Sequence, residues 1–310
     1  MGGLSEPLRP GDFVEVRSPV EILETLDAHG AIDHLPFMPE MLPFCGRRLR
    51  VAKRVVLTCF YGPSSHRAFK ANDVVTLEGV RCSGADHDGC QKSCMIFWRD
   101  AWLRRAEENS VRAKIDPLSV ERLRRHLTTK TSPTNYFCQA SEILNATYPL
   151  TSLRQKAAVY PSGLRAGNFG LVQLVKMLAV SIFWKARGKL LGIHARGNGK
   201  HVQDQSASLR AGDWVEVKSL ESVRETLNEQ GKNRGLYFSP DMRALCGQRL
   251  RVQRRLDKII VDGTGEMRLL RNTVALENST CGCAHIGLLF GGCTRCELTY
   301  WRESWLRRLE

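Results

Sequence analysis

Short runs of alternating apolar and polar residues recur along the chain, bounded by Gly, Pro, Asn or Asp, and they predict strands. Phe13, Val14 and Val16 follow a Gly11-Asp12 turn, and Trp214, Val215 and Val217 follow Gly212-Asp213. Leu49, Val51 and Val55, or Leu250 and Val252, sit among arginines as in half-buried strands. Val74 to Leu77 and Val274 to Leu276 form the next ones, and Asp262-Gly263-Thr264-Gly265 reads as a hairpin turn into Met267-Arg268-Leu269-Leu270. Ser18-Pro19-Val20-Glu21 spells a helix start: a hydroxyl cap, proline at the first helical position and a carboxylate three residues past the cap. It predicts a helix from Pro19 to Ala28, closed near Gly30, with Gly231 at the matching stop and Ile22, Leu23 and Leu26 on one face.

These patterns come twice in the same order. Glu24-Thr25-Leu26 returns as Glu225-Thr226-Leu227, and Cys45-Gly46-Arg47-Arg48-Leu49-Arg50-Val51 returns as Cys246-Gly247-Gln248-Arg249-Leu250-Arg251-Val252. Trp98-x3-Trp102-Leu103-Arg104-Arg105 returns as Trp301-x3-Trp305-Leu306-Arg307-Arg308. The expected fold class is therefore α+β. Two homologous small β-rich modules, each a Gly-Asp strand, a helix, three more strands and a terminal helix, suggest SH3-like barrels or half-barrels. They span 1–108 and 208–310, joined by a mainly helical, basic middle segment at 109–207.

Within that middle segment, Pro117 to Leu127 reads as a basic helix and Thr128 to Asn135 as a linker. Asn168 is placed to cap an apolar helix from Phe169 to Trp184, followed by a Gly-, Asn- and Ser-containing linker from Gly188 to Ser206. About sixteen residues make roughly 24 Å of helix, short for a bilayer crossing, and Lys176 sits near the centre. The thin polar stripe favours a core or interdomain helix. Contact of residues 169–189 with a membrane surface is the competing expectation.

Composition sharpens this reading in two places. Of the 310 residues a quarter are charged, with a formal net charge of +14. From Ser110 to Ser208, fifteen Lys and Arg face four acids, an excess of eleven, so both repeats are close to neutral. Residues 110–208 are thus the expected site of any nucleic-acid contact. The start, Met1-Gly2-Gly3-Leu4-Ser5-Glu6, has neither a basic nor an apolar run, which points to a cytoplasmic, at most membrane-peripheral, protein and to reduced thiols.

Eight of the eleven cysteines recur between the repeats: Cys45, Cys82, Cys90 and Cys94 in the first, Cys246, Cys281, Cys293 and Cys296 in the second. Four thiols close a tetrahedral site, and neighbouring glycines permit the tight backbone it needs. Structural zinc is the expected occupant, adding on the order of 10 kcal/mol of apparent folding free energy to a thin core. The spacing is Cys-x3-Cys in one copy and Cys-x2-Cys in the other, and such irregularity suits an iron–sulfur cluster as the alternative. His87 and His285 lie between the second and third cysteines; the favoured reading is a solvated loop histidine, with substitution as a ligand the alternative, while Cys283 is placed to exchange with Cys281. Lone Cys59 and Cys138 read as core thiols. No nucleophile with its base, phosphate loop or His-Glu metal helix stands out, and the recurring Glu15/Glu216 and Glu78/Glu277 are explained by strand alternation.

The stretch Pro36-Phe37-Met38-Pro39-Glu40-Met41, then Cys45-Gly46-Arg47-Arg48, Gly89-Cys90 and Phe97-Trp98-x3-Trp102-Leu103, resembles an uncharacterised bacterial family met among genes for polysaccharide or natural-product biosynthesis. The resemblance covers both modules and carries no assigned activity. The second copy departs from it, reading Tyr237-Phe238-Ser239-Pro240-Asp241-Met242. The expected function is a metal-binding tandem-repeat accessory or scaffolding protein with a protein partner or biosynthetic enzyme. The alternatives are an iron–sulfur redox protein or enzyme and a nucleic-acid binder.

Overall fold

A computed structural model describes residues 6–60, 66–107, 114–191, 195–197, 207–281 and 294–309. It is a mixed α+β structure in which each repeat builds a five-stranded half-barrel. Across the first sheet the strands run Met95–Arg99, Val74–Arg81, Arg48–Arg54, Phe13–Val16, Leu103–Arg105. Across the second they run Leu298–Arg302, Thr273–Thr280, Arg249–Arg255, Trp214–Val217, Leu306–Arg308. All pairs are antiparallel, and the registers correspond residue for residue. Val14 faces Leu49 and Arg105 as Val215 faces Leu250 and Arg308. A register shift falls between Val51 and Lys53 in one copy and between Val252 and Arg254 in the other.

The predicted capping box is present. The Ser18 hydroxyl accepts from Glu21 N at 3.4 Å, and the Glu21 carboxylate accepts from Ser18 N at 2.9 Å. The helix is shorter than expected, Pro19–Leu23, because Asp27 Oδ1 takes the His29 and Ala31 N–H groups at 2.9 and 3.0 Å and draws the chain into a turn. Asn228 does the same in the second copy, accepting from Gln230 and Lys232.

The predicted terminal helix is instead a strand, a single 3-10 turn and a strand. Residues Asp100–Trp102 form the turn, and its backbone bonds outward: Asp100 N donates to Asp73 O and Trp102 O accepts from Arg17 N. Two tryptophans four residues apart imitate a helical face, yet this turn sends both indoles into one core. Trp98 and Trp102 meet Phe37 edge-on at centroid distances of 6.2 and 5.2 Å, and Trp301 and Trp305 meet Phe238 at 6.1 and 5.1 Å.

The chain divides into two compact units, Met1–Leu174 with Ile260–Arg268, and Val175–Ile259 with Leu269–Glu310. This differs from the expected three-part division at 108/109 and 207/208, because much of the middle segment pairs into the first unit. Asp116 caps Pro117–His126, whose Leu123 is fully buried. The expected linker folds back, with Phe137 N donating to Thr129 O at 2.8 Å. Thr147–Pro149 adds a strand beside His66–Phe69. The predicted hairpin turn at 262–265 forms, and Gly263 N donates to Ala140 O while Tyr136 N donates to Gly265 O.

The apolar helix runs from Leu171 to Leu191, into the expected linker. Asn168 is not its cap: its side chain accepts from Arg54 N at 2.9 Å and donates to Arg54 O at 2.8 Å. The helix is not wrapped by core on all sides. Met177 is buried, whereas Leu171, Val172, Val175, Leu178, Val180, Ile182 and Phe183 are exposed.

Candidate functional site

The loop from Cys82 to Cys94 closes on itself. Cys82 N donates to Cys94 O at 2.8 Å, and Gly84 O accepts from both His87 N and Gly89 N. Cys90 N donates to His87 O. Gly84 has φ +69°, and a Cβ there would lie 2.0 Å from the Cys90 carbonyl oxygen, so glycine is obligatory at this crossing.

His87 is buried at the loop's centre. Its Nδ1 lies 2.6 Å from Glu40 Oε1 and its Nε2 lies 3.1 Å from the Phe137 carbonyl oxygen. Both partners are acceptors, so the doubly protonated ring satisfies both at once. Burial opposes that charge, yet the hydrogen bond and charge of Glu40, helped by the Phe137 carbonyl, carry the net shift of the imidazole upward. Glu40 comes from the turn Pro39–Phe44 and also accepts from Asp86 N at 3.2 Å. Its second oxygen, Oε2, is buried without a hydrogen-bond partner.

The thiols differ in their surroundings. Burial pushes the Cys82 thiol far up, and the neighbouring charges of Glu40, Cys94 and Cys138 add to it. Cys138, in sequence a lone core thiol, is pushed up to about 11 by burial, with Cys90 also raising it and Lys92 lowering it. It comes from the segment that receives the His87 hydrogen bond. Cys90 Sγ accepts from Ile260 N at 3.3 Å. Cys45 is buried just after the Pro39–Phe44 turn, and burial pushes it up to about 12 with no other thiol contributing.

In the second unit, Asp241 holds the position of Glu40, and the Cys281 thiol donates to its Oδ2 at 3.9 Å. Cys246 is raised by burial, with Arg243 acting against it. Cys281 N donates to Glu297 O at 2.7 Å, as Cys82 N does to Cys94 O. Glu297 is thus the structural counterpart of Cys94, and Cys296 that of Ser93; Ser93 and Cys296 share a positive φ, +54° and +42°. The last cysteines of the two repeats occupy adjacent, not equivalent, positions, which is the origin of the unequal spacing. Cys293, Cys283 and His285 lie outside the described residues.

Among the described residues, no three His, Cys, Asp or Glu side chains are grouped so as to hold a metal ion. What recurs is a pair, a carboxylate from a Pro-acid turn beside the cysteine that follows the longest strand. Glu40 and Asp241 escaped sequence reasoning, although the shared Pro39-Glu40 and Pro240-Asp241 dipeptides were a signal. Nothing marked Cys138, which has no partner in the repeat.

The other recurring polar residues brace the sheet. Arg104 pairs with Glu15 and Arg105 with Asp12; Arg307 pairs with Glu216 and Arg308 with Asp213. The closing Trp-Leu-Arg-Arg motif and the opening Gly-Asp-x-x-Glu motif are two sides of one strand pairing. No known protein family matches this chain, nor does any curated protein or solved structure.

Proposed function

We propose that this chain is a cytoplasmic metal-binding accessory or scaffolding protein serving a biosynthetic pathway, each SH3-like half-barrel carrying one structural thiol-rich site. The observation that carries the reading is the repeated carboxylate–thiol pair, Glu40 with Cys82 and Asp241 with Cys281. The unpartnered Glu40 Oε2 supports it, because a buried carboxylate oxygen without a donor is satisfied by a cation. The ligand candidates for the first ion are Cys45, Cys82, Cys90 and Cys94 with Glu40, which binding would have to draw together, and Cys138 is a further thiol. Those for the second are Cys246, Cys281, Cys293 and Cys296 with Asp241. A mixed thiolate and carboxylate set suits zinc. Burial raises the Cys82 thiol, so metal uptake there releases a proton and strengthens as pH rises.

Metal analysis of the purified protein, with a visible spectrum, tests this. The expected result is zinc and a colourless solution, with Cys82→Ser and Glu40→Gln each lowering metal content and thermal stability together. A fully folded protein free of metal at every pH overturns the reading. Broad brown absorbance selects the iron–sulfur alternative, which the unequal Cys94 and Cys296 positions favour.

A further inference from the structure

We propose that the helix Leu171–Leu191 docks on the surface of an anionic lipid bilayer, lying in its plane. The helix spans 21 residues, about 31 Å, and among the described residues no helix is long and apolar enough to cross a membrane. Leu171, Val175, Leu178 and Ile182 follow each other at i, i+4, i+7 and i+11, which places them on one face. They are 67%, 64%, 41% and 66% exposed. Ala179 and Phe183 widen the same face, and both are exposed. Met177, roughly 160° round the helix from Val175, is buried and Leu174 is half-buried, so the helix rests along one edge of the stripe while Val175, Leu178 and Ile182 stay exposed. Contiguous exposed apolar stripes are rare on protein surfaces and mark places where a partner or a membrane docks.

Charge decides among occupants. Residues 143–203 contain nine Lys and Arg and not one Asp or Glu. Lys176 lies within the apolar stretch, and Lys185, Arg187 and Lys189 follow it. A second copy of the same basic stretch would repel the first. An anionic bilayer supplies both an apolar layer for Leu171, Val175, Leu178 and Ile182 and a negative headgroup plane for the cations. Nucleic acid would use the charge and leave the stripe exposed. This inference is independent of the metal reading.

Co-sedimentation of the full chain with phosphatidylcholine vesicles, with and without phosphatidylglycerol, is the test. Binding is expected to the anionic vesicles, to fall as salt shortens the screening length, and to be weak on phosphatidylcholine alone. Leu178→Glu with Ile182→Glu should cut binding by at least about tenfold, since each residue buries apolar surface in the headgroup layer. Both side chains are exposed, so the melting temperature should hold. Lys176→Gln should weaken binding roughly fivefold without touching the apolar face. Three results overturn the proposal. One is absence of sedimentation with anionic vesicles at low salt. Another is a dimer in light scattering that the double variant dissolves while vesicles stay unbound. The third is salt-sensitive retention on DNA or RNA with none on vesicles.

Discussion

Glu40 Oε1 stands 2.6 Å from Nδ1 of His87, and both side chains are closed to solvent. The pairing ties the Pro39–Phe44 turn to the cysteine loop and, through the Phe137 carbonyl, to the middle segment.

A pH dependence follows. The folded-state pKa of His87 is raised above its ordinary value of about 6.5. Its contribution to stability is therefore fully present below about pH 6.5 and is lost as pH climbs through the raised folded value. Thermal melts at stepped pH should show His87→Gln destabilised most on the acid side of neutrality, with the gap to wild type narrowing in alkali. A gap that widens with pH would refute the assignment.

The two tryptophan clusters differ in their indole hydrogen bonds. Trp301 Nε1 donates to Ser279 Oγ at 2.9 Å and Thr299 Oγ1 at 3.0 Å, while Trp98 Nε1 is buried without a partner. A second contrast lies at the other indole of each pair. Trp305 Nε1 donates to Thr226 Oγ1 at 2.8 Å, while Trp102 Nε1 is buried without a partner. Trp305→Phe should cost about 1 kcal/mol more than Trp102→Phe, since only the former breaks a bond. Denaturant midpoints of the two variants measure this, and equal costs would contradict it.

Arg104 and Arg307 occupy matching positions with unequal partners. Glu15 is only 7% exposed and Glu216 is 25% exposed. Removing Arg104 strands a buried carboxylate, so Arg104→Ala should cost about 1–3 kcal/mol. Arg307→Ala breaks an exposed pair and should cost under about 1 kcal/mol. Chemical denaturation ranks them, and the reverse order would sink the argument.

Lys92 and Asp262 form a buried ion pair that fastens the hairpin tip to the cysteine loop. Lys92→Met leaves Asp262 buried without its cation and should cost roughly 3–5 kcal/mol. Lys92→Met with Asp262→Leu should recover most of that loss, because it removes both desolvation penalties. A double variant no more stable than the single one would show that the pair holds the tip by more than charge balance.

The candidate site was partly legible. The Cys82, Cys90 and Cys94 spacing identified the loop, and Gly84 and Gly89 announced its tight path. Cys45 recurs as Cys246, and recurrence reflects shared packing as readily as shared chemistry. Cys138 and Glu40 join the site by tertiary approach alone. His87 is not the solvated loop residue its neighbours in sequence suggest: it is buried, and both its ring nitrogens are engaged by Glu40 and Phe137.

Read alone, the chain determined what depends on near neighbours. The Ser18–Glu21 cap, the Gly-Asp openings, the hairpin turn at 262–265 and the order of strands in both repeats follow from alternation and turn chemistry within a few residues. Tertiary structure decided which distant groups satisfied one another. It made a strand and turn of the Trp98-to-Trp102 stretch, brought residues 260–268 into the first unit and left Val175, Leu178 and Ile182 of the apolar helix exposed. The reason is that a backbone amide or an apolar face accepts any partner that excludes water. Local pattern records that a partner is needed, and only the folded chain supplies which one.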